Sequence, residues 1–379
     1  MGLRVAIDVG PLHGPLTGVG RAVDGTVGAL ADRPRDVTLG RFVVSTRARL
    51  DDATRRLPVP AMLAHRWWAR SSWPPLDPLL RVDGRSADVV HGTNYVVPPT
   101  TRRIARLVSV YDCWFLDEPD RVDPDVGRAA QVLLRSLDDG AHVVTCSDAT
   151  KDALLGHVPN LEPHRVTTIH LGPPDGFGSS DPRRVSPPTR LGRLTAGGFV
   201  LSLGTVERRK NVPGLVEAFG RLAAEVADVR LVIAGSPGDD SPAVDAAIRR
   251  LESEARGRID VVGRVDGVER DWLLDNARAL AYPSLDEGFG FPILEAQQND
   301  LPIAATAVGS IPEVGGPSLL LSRPDDTLAL AANLHRLVTD DGRHAEAAAL
   351  GRRNLERFSW QRCGDELITL YRRLAGATS

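Results

Sequence analysis

The stretch Pro283-Ser-Leu-Asp-Glu287-Gly-Phe-Gly-Phe-Pro-Ile-Leu-Glu295-Ala296 gathers the residue types best suited to chemistry. An aliphatic run, Leu280–Tyr282, precedes it and predicts a strand, and Pro292 is well placed to open a helix. Between them Gly288 and Gly290 remove side chains, so backbone amides can approach a ligand closely. The helix would aim its N-terminal amides and the positive end of its dipole at that spot, which is a natural seat for a phosphate. Glu295, between Leu294 and Ala296, is a carboxylate on an apolar helix and needs partners. Two neighbouring ribose hydroxyls would supply them, and Glu287 would face the sugar end of the same ligand. The plain alternative is a solvated Glu287 and a structurally paired Glu295. A glycosidase pair, acid and nucleophile, fits worse, because a phosphate between two catalytic carboxylates is a hindrance.

A second cluster, Gly204-Thr-Val-Glu-Arg208-Arg209-Lys210-Asn211, follows the strand candidate Phe199–Leu203. An arginine grips phosphate bidentately and a lysine supplies a compact charge. Together they could neutralise a diphosphate leaving group as its charge develops. A basic loop without a ligand is the alternative.

The elements that must position these residues alternate in the manner of parallel α/β units. Strands are expected at Leu3–Val9, Val37–Ser45, Val89–His91, Ile104–Tyr111, His142–Cys146 and Val166–His170, with helices such as Arg21–Ala31 and Asp125–Asp138 between them. Most are near-continuous in apolar residues, as strands covered on both faces are. A Pro-, Gly-, Ser- and Arg-rich stretch then breaks the rhythm and reads as a linker. After it, strands at Phe199–Leu203, Val229–Ala234, Ile259–Val262, Leu280–Tyr282, Pro302–Ala305 and Leu319–Leu321 alternate with helices, and the tail from Thr327 reads as helical. The expected division is 1–175, a linker over 176–198, and 199–358. Ligands of open α/β sheets bind at crevices beside strand C-termini.

Bulk properties narrow the function classes. The 379 residues suffice for two cores. A net charge of −3, from 46 basic and 49 acidic side chains, argues against general nucleic-acid affinity. The N-terminus does not read as a signal peptide, and no apolar run is long enough to span a membrane. Cys113, Cys146 and Cys363 are scattered, without zinc-site spacing, and read as buried small hydrophobes in a reducing cytosol.

The pairing of the basic loop with the Glu287–Glu295 segment resembles the retaining family-4 glycosyltransferases of the GT-B fold, closest to their mannosyltransferase-like subgroup. Gly204–Leu222 (GTVERRKNVPGLVEAFGRL) and Tyr282–Val314 (YPSLDEGFGFPILEAQQNDLPIAATAVGSIPEV) carry the likeness. Gly18-Val-Gly-Arg21, Val90-His-Gly-Thr-Asn-Tyr95 and Thr145-Cys-Ser-Asp148 support it. The resemblance implies two Rossmann-like domains with parallel sheets facing across a cleft, with a final helix, 359–374, crossing back onto the first. It implies a metal-independent, cofactor-free, retaining transfer of a hexose from a nucleoside-diphosphate sugar, by front-face attack assisted by the leaving phosphate. Mannose from GDP-mannose is the first expectation, and a UDP donor the second. Glu287, Arg209, Lys210, Tyr111 and Asp112 would form the catalytic set. Gly18, Gly20, Thr205, Gly288, Phe289, Gly290, Phe291 and Glu295 would bind the donor, with Glu295 on its ribose.

Two departures from the family pattern stand out. Tyr111-Asp112 takes the place of the usual His-Asp, which removes an imidazole's protonation chemistry beside the donor sugar. Thr205 stands where many members have an arginine, for which Arg208 or Arg209 could compensate. A sugar-nucleotide epimerase and a non-catalytic nucleotide-sugar-binding scaffold are the rival readings.

Weaker signals complete the reading. Gly18-x-Gly20-x-x-Val23 lacks the third glycine of a dinucleotide fingerprint. Asp123-Pro-Asp125 reads as a helix start rather than a metal-binding pair, and His91 as either a cleft residue or a satisfied structural histidine. Segment 47–81 interleaves Trp67, Trp68 and Trp73 with Arg49, Arg55, Arg56, Arg66 and Arg70. It suggests an anionic or lipid-linked acceptor and peripheral contact with the inner membrane face, or else a helical hairpin packed on the sheet.

Overall fold

The computed structural model describes residues 2–14, 17–46, 48, 54–101, 103–118, 124–174 and 187–377. The expectations for Arg47, Arg49 and Asp123, and for the linker between 175 and 186, lie outside the described residues. The chain divides into two compact units, Met1–Gly172 with Phe358–Ser379, and Pro173–Arg357.

In the first unit the strands are β1 (Leu3–Asp8), β2 (Val37–Val44), β3 (Thr54–Leu57), β4 (Arg81–Val82), β5 (Arg85–Ser86), β6 (Val89–Gly92), β7 (Ala105–Val110), β8 (His142–Thr145) and β9 (Val166–Thr168). Among the described residues, a seven-stranded sheet runs β3-β2-β1-β6-β7-β8-β9, and every pairing in it is parallel. Strands β4 and β5 form a separate antiparallel hairpin. Its turn is Asp83-Gly84, both at positive φ, which suits the twist of a tight hairpin. The helices are α1 (Gly18–Ala31), α2 (Ala61–Trp68), α3 (Trp114–Asp117), α4 (Pro124–Asp138) and α5 (Asp148–His157).

The second unit holds β10 (Phe199–Leu203), β11 (Arg230–Ala234), β12 (Ile259–Gly263), β13 (Ala279–Tyr282), β14 (Ile303–Thr306) and β15 (Leu319–Ser322). They form a parallel sheet in the order β12-β11-β10-β13-β14-β15. Its helices are α6 (Val212–Glu225), α7 (Ser241–Arg250), α8 (Ser253–Arg256), α9 (Gly267–Asn276), α10 (Phe291–Gln298), α11 (Ile311–Gly315), α12 (Thr327–Thr339) and α13 (Asp341–Leu355). Helix α6 shows how they are held. Its positions 212, 215, 216, 219 and 222 are Val, Leu, Val, Phe and Leu, at helical spacing and buried against the sheet. Each such side chain contributes about 1.5–3 kcal/mol by leaving water.

The last helix, α14 (Trp360–Ala377), returns to the first unit and packs on α1. Two glycines make room for Trp360 at its start. A Cβ on Gly25 would lie 2.1 Å from the indole, and one on Gly172 would lie 2.4 Å from the Trp360 backbone nitrogen. The fold is α/β throughout, with two parallel sheets.

Segment 47–81 differs from the helical hairpin that its composition suggested. Thr54–Leu57 pairs with β2 as the outermost strand of the sheet, and a single helix, α2, follows. Arg55 and Arg56, both exposed, hide the apolar alternation of a strand and also blunt its free edge against pairing.

Candidate functional site

The residues singled out in the second unit come together at the C-terminal ends of β10 and β13. The chain leaves β10 through Gly204, at φ +143°, and a single turn of 3-10 helix over Arg208–Lys210. Asn211, at φ +48°, then redirects it into α6. This loop lies tightly against the one following β11. A Cβ on Gly235 would meet the Gly204 carbonyl oxygen at 1.7 Å, so that position accepts no side chain. Thr205 and Arg208 lie on the same loop, Thr205 partly buried and Arg208 exposed.

Leaving β13, the chain passes Ser284 and Glu287 before Gly290, at φ +86°, caps α10. That left-handed conformation explains a glycine here, since most side chains would be strained. The Leu285 N–H donates to the Arg209 carbonyl at 2.7 Å, joining the two loops. Glu287 is the centre of the arrangement and is only 6 % exposed. Arg209 Nη1 donates to its Oε2 at 3.0 Å, Ser284 Oγ donates to Oε1 at 3.0 Å, and Lys210 Nζ pairs with Oε1. Lys210 also donates to the Tyr282 hydroxyl at 3.3 Å and lies 5.1 Å from the ring centre. Burial alone would raise the Glu287 carboxyl. The two cations overcome it and hold the group at about 2, so it is a carboxylate at neutral pH. Burial lowers the Lys210 ammonium, which Glu287 counteracts.

Glu295 lies on α10, fully buried. Its partner is Arg270 on α9, in an ion pair at Oε2. Phe289 and Phe291 are buried, edge to face with ring centres 5.3 Å apart, and Gly288 before them is buried too. Gln297 anchors the helix, donating to the Gly315 carbonyl at 2.9 Å and the Ser318 hydroxyl at 2.8 Å, while its own carbonyl accepts from Asn354 at 3.0 Å.

The structure thus brings Arg209, Lys210 and Glu287 into direct contact. Sequence reading missed Tyr282, Ser284 and Arg270. Tyr282 and Ser284 flank Pro283 just before the motif, where a hydroxyl on each side was the available signal. Arg270 has no local signal, because it belongs to another helix.

Gly18, Gly20, Tyr111 and Asp112 belong to the first unit. The two glycines occupy the first turn of α1, whose cap, Thr17 Oγ1, accepts from the Gly20 N–H at 3.2 Å. Tyr111 and Asp112 follow β7. The Tyr111 hydroxyl is bonded to Ser109, and burial raises its pKa. Asp112 Oδ1 accepts from the Tyr95 hydroxyl at 3.2 Å. His91 is a satisfied structural histidine, held between the Tyr371 hydroxyl at 2.7 Å and Ser109 Oγ at 2.8 Å. Burial depresses it to about 3, so it is a neutral imidazole. Asp8, at the end of β1, accepts from the Gly10 N–H at 2.8 Å, and burial raises its carboxyl to about 6. Cys146 and Cys363 line one small cavity with His91, Ser109 and Tyr111. All three cysteines are buried thiols. Among the described residues no group of three or more His, Cys, Asp or Glu is placed to hold a metal.

Residues 198–340 match the family model described as Glycosyl transferases group 1. The chain is 29% identical over 290 residues to O-antigen chain mannosyltransferase B of Escherichia coli, covering 76% of this chain and 74% of that protein. It is 33% identical over 266 residues to the D-inositol 3-phosphate glycosyltransferase of Stackebrandtia nassauensis, covering 67% of this chain and 58% of that one. Among solved structures it resembles WaaG, a glycosyltransferase involved in lipopolysaccharide biosynthesis, with a TM-score of 0.72, 15% identity and coverage of 97% and 99%. HepE of Anabaena, solved in complex with UDP, has a TM-score of 0.65 at 14% identity, with coverage of 99% and 100%. At these identities the two structures speak to the fold.

Proposed function

We propose, for a chain that belongs to the family-4-like glycosyltransferases of the GT-B fold, that it transfers mannose from GDP-mannose to a carbohydrate or lipid-linked acceptor with retention of configuration. The observation that carries this reading is the Arg209–Lys210–Glu287 cluster beside the glycine-capped start of α10. Two cations fixed by one carboxylate form a preorganised seat for a diphosphate, where negative charge grows as the sugar leaves. Arg209 and Lys210 bind that diphosphate, and no metal or cofactor takes part. Glu287 and the backbone of Gly288–Gly290 meet the donor sugar and phosphate. Glu295 accepts from the ribose hydroxyls while Arg270 orients its carboxylate. The likeness to a mannosyltransferase over three quarters of the chain supports mannose over glucose from a UDP donor. Tyr111 takes the position of the family's histidine, with its hydroxyl turned inward to Ser109. The enzyme works in the cytoplasm, in peripheral contact with the inner membrane face.

A thermal-shift panel with GDP, UDP, ADP and dTDP, each free and as its sugar conjugates, tests the donor. A ligand specific for the folded state at about 100 times its Kd stabilises by roughly 2.7 kcal/mol. The expected outcome is a shift with GDP and GDP-mannose. A shift with UDP alone reassigns the base, and no shift with any of them overturns the donor site.

A further inference from the structure

Of the 46 basic side chains only two are lysines, Lys151 and Lys210. Arginine grips an anion through a rigid fork, whereas lysine is a point charge on a flexible stem, and its neighbours decide where that charge sits. At Lys210 the neighbours are unequal. Nζ pairs with Glu287 Oε1, donates to the Tyr282 hydroxyl at 3.3 Å, and lies 5.1 Å from the centre of that ring. Tyr282 ends β13 after Ala279, Leu280 and Ala281, and is itself only 2% exposed. A hydrophobe would fill this place in the sheet as well, but a buried phenol requires hydrogen-bond partners. It has two, since the hydroxyl accepts from Lys210 and donates to Glu287. Burial and the Glu287 charge raise its pKa well above 10, so it is a neutral bridge between an ammonium and a carboxylate.

The carboxylate does not depend on this bridge for its own place. The Ser310 N–H donates to the Glu287 carbonyl at 3.0 Å, and Thr306 Oγ1 donates to the Ser284 carbonyl. Gly309, at φ +49°, packs so closely that a Cβ would lie 2.5 Å from the same Glu287 carbonyl oxygen. Ser284 Oγ and Arg209 hold the carboxylate itself. The part left to the phenol is therefore the ammonium. Without the hydroxyl, Glu287 would be the only hydrogen-bond acceptor left to Lys210 among the described residues, and a flexible side chain held at one point swings about it.

We propose that Tyr282 is a positioning residue of the cation clamp: by bridging Lys210 and Glu287 it holds the ammonium at one fixed point beside the carboxylate, ready for a diphosphate. The role rests on reading Arg209 and Lys210 as the diphosphate seat, and Tyr282 acts through Lys210. A donor fixed in advance stabilises the charge that grows in the transition state without first reorganising. A bound diphosphate can recapture a loosened ammonium, so the hydroxyl matters more for turnover than for affinity.

Tyr282→Phe tests this, because it removes one oxygen and keeps the ring; circular dichroism confirms the fold. The first readout needs no donor: trace acetylation of the full-length protein with acetic anhydride, read by mass spectrometry, with Lys151 on α5 as the internal reference. An ammonium that loses a hydrogen-bond acceptor holds its proton less firmly. The labelling of Lys210 relative to Lys151 should therefore rise severalfold at pH 8. Tyr371→Phe, which takes the hydroxyl from another buried tyrosine, should leave that ratio alone. The second readout is steady-state release of nucleotide from GDP-mannose with water as acceptor. There kcat should fall about tenfold while KM stays within about twofold. An unchanged labelling ratio overturns the proposal. So does unchanged turnover, which makes Tyr282 a core residue, or a loss confined to KM, which makes it a binding group only. If the unaltered protein does not turn over GDP-mannose, the donor assignment has failed, and the labelling ratio alone decides the Tyr282 bridge.

Discussion

The two sheets end at their C-terminal edges in opposite chemistry. Beside β10 and β13 the second unit assembles full charges: Glu287 with Arg209 and Lys210, and Glu295 with Arg270. Beside β6 and β7 the first unit instead keeps a neutral imidazole and hydroxyls in one chain, Tyr371 to His91 to Ser109 to Tyr111. Buried charge is costly unless paired, and a pair broken on one side leaves the other stranded. The charged edge therefore suits a ligand that brings its own charge, as a diphosphate does. The neutral edge suits hydroxyls, and at the end of β1 burial raises the Asp8 carboxyl to about 6.

The sharpest way to break this contrast is to strand one charge. Glu295→Ala leaves the Arg270 guanidinium without its carboxylate and is expected to cost about 3–5 kcal/mol in chemical denaturation. It should also abolish nucleotide binding by calorimetry. The double variant Glu295→Gln/Arg270→Gln should recover much of the stability without recovering binding. If the single variant keeps its nucleotide affinity, the pair is structural and the ribose assignment falls.

A smaller effect is expected at the clamp. Glu287→Gln keeps the shape but removes the charge that fixes Arg209 and Lys210, and it turns one of the two accepting oxygens into an amide donor. Turnover should fall by about 10²-fold, in the range seen when one preorganised electrostatic contact is lost. The Kd for nucleotide should change only severalfold. A loss confined to affinity would move Glu287 from the reacting end to simple binding.

The mildest perturbation is pH, which should separate the units. The folded pKa values of His91 and His142 are depressed by burial, to about 3 and about 4, from an ordinary 6.5. Between those limits the unfolded chain binds more protons, so stability falls as the pH drops from 6.5 towards 4. Asp8, raised to about 6, works in the opposite direction between 6 and 3.8 and offsets part of the loss. Glu287 is depressed to about 2, so its contribution is present above 4.5 and is lost only as the pH falls towards 2. Peptide-resolved hydrogen exchange at pH 7 and pH 5 should show β6, β7 and β8 losing protection while β13 and α10 keep theirs. Equal loss in both units would refute the contrast.

Much of the scaffold was legible because parallel strands covered on both faces write themselves as aliphatic runs. Leu3–Asp8, Ala105–Val110, Phe199–Leu203 and Arg230–Ala234 are such runs, and their boundaries moved by a residue or two at most. The strand Thr54–Leu57 was not legible, since two arginines in a row at a sheet edge look like a loop or an exposed helix face. Near Ala243–Glu254 one expected helix is two, α7 and α8, because Leu251 and Glu252 adopt extended backbone between them.

The sequence by itself determined the α/β class, the glycine-bearing turn before α10, and the residue types that could meet a phosphate. These are local properties, written in spacing and in the backbone freedom of glycine. Only the tertiary structure decided who partners whom. Arg209 and Lys210 reach Glu287 from 78 and 77 residues away in sequence, Arg270 reaches Glu295 from another helix, and His91 is closed off by Tyr371 from the far end of the chain. A charge pair has no periodicity and leaves no local trace. It exists only once parallel strands bring distant loops to one edge, and there burial and the charges packed alongside together fix which groups stay charged and which stay neutral.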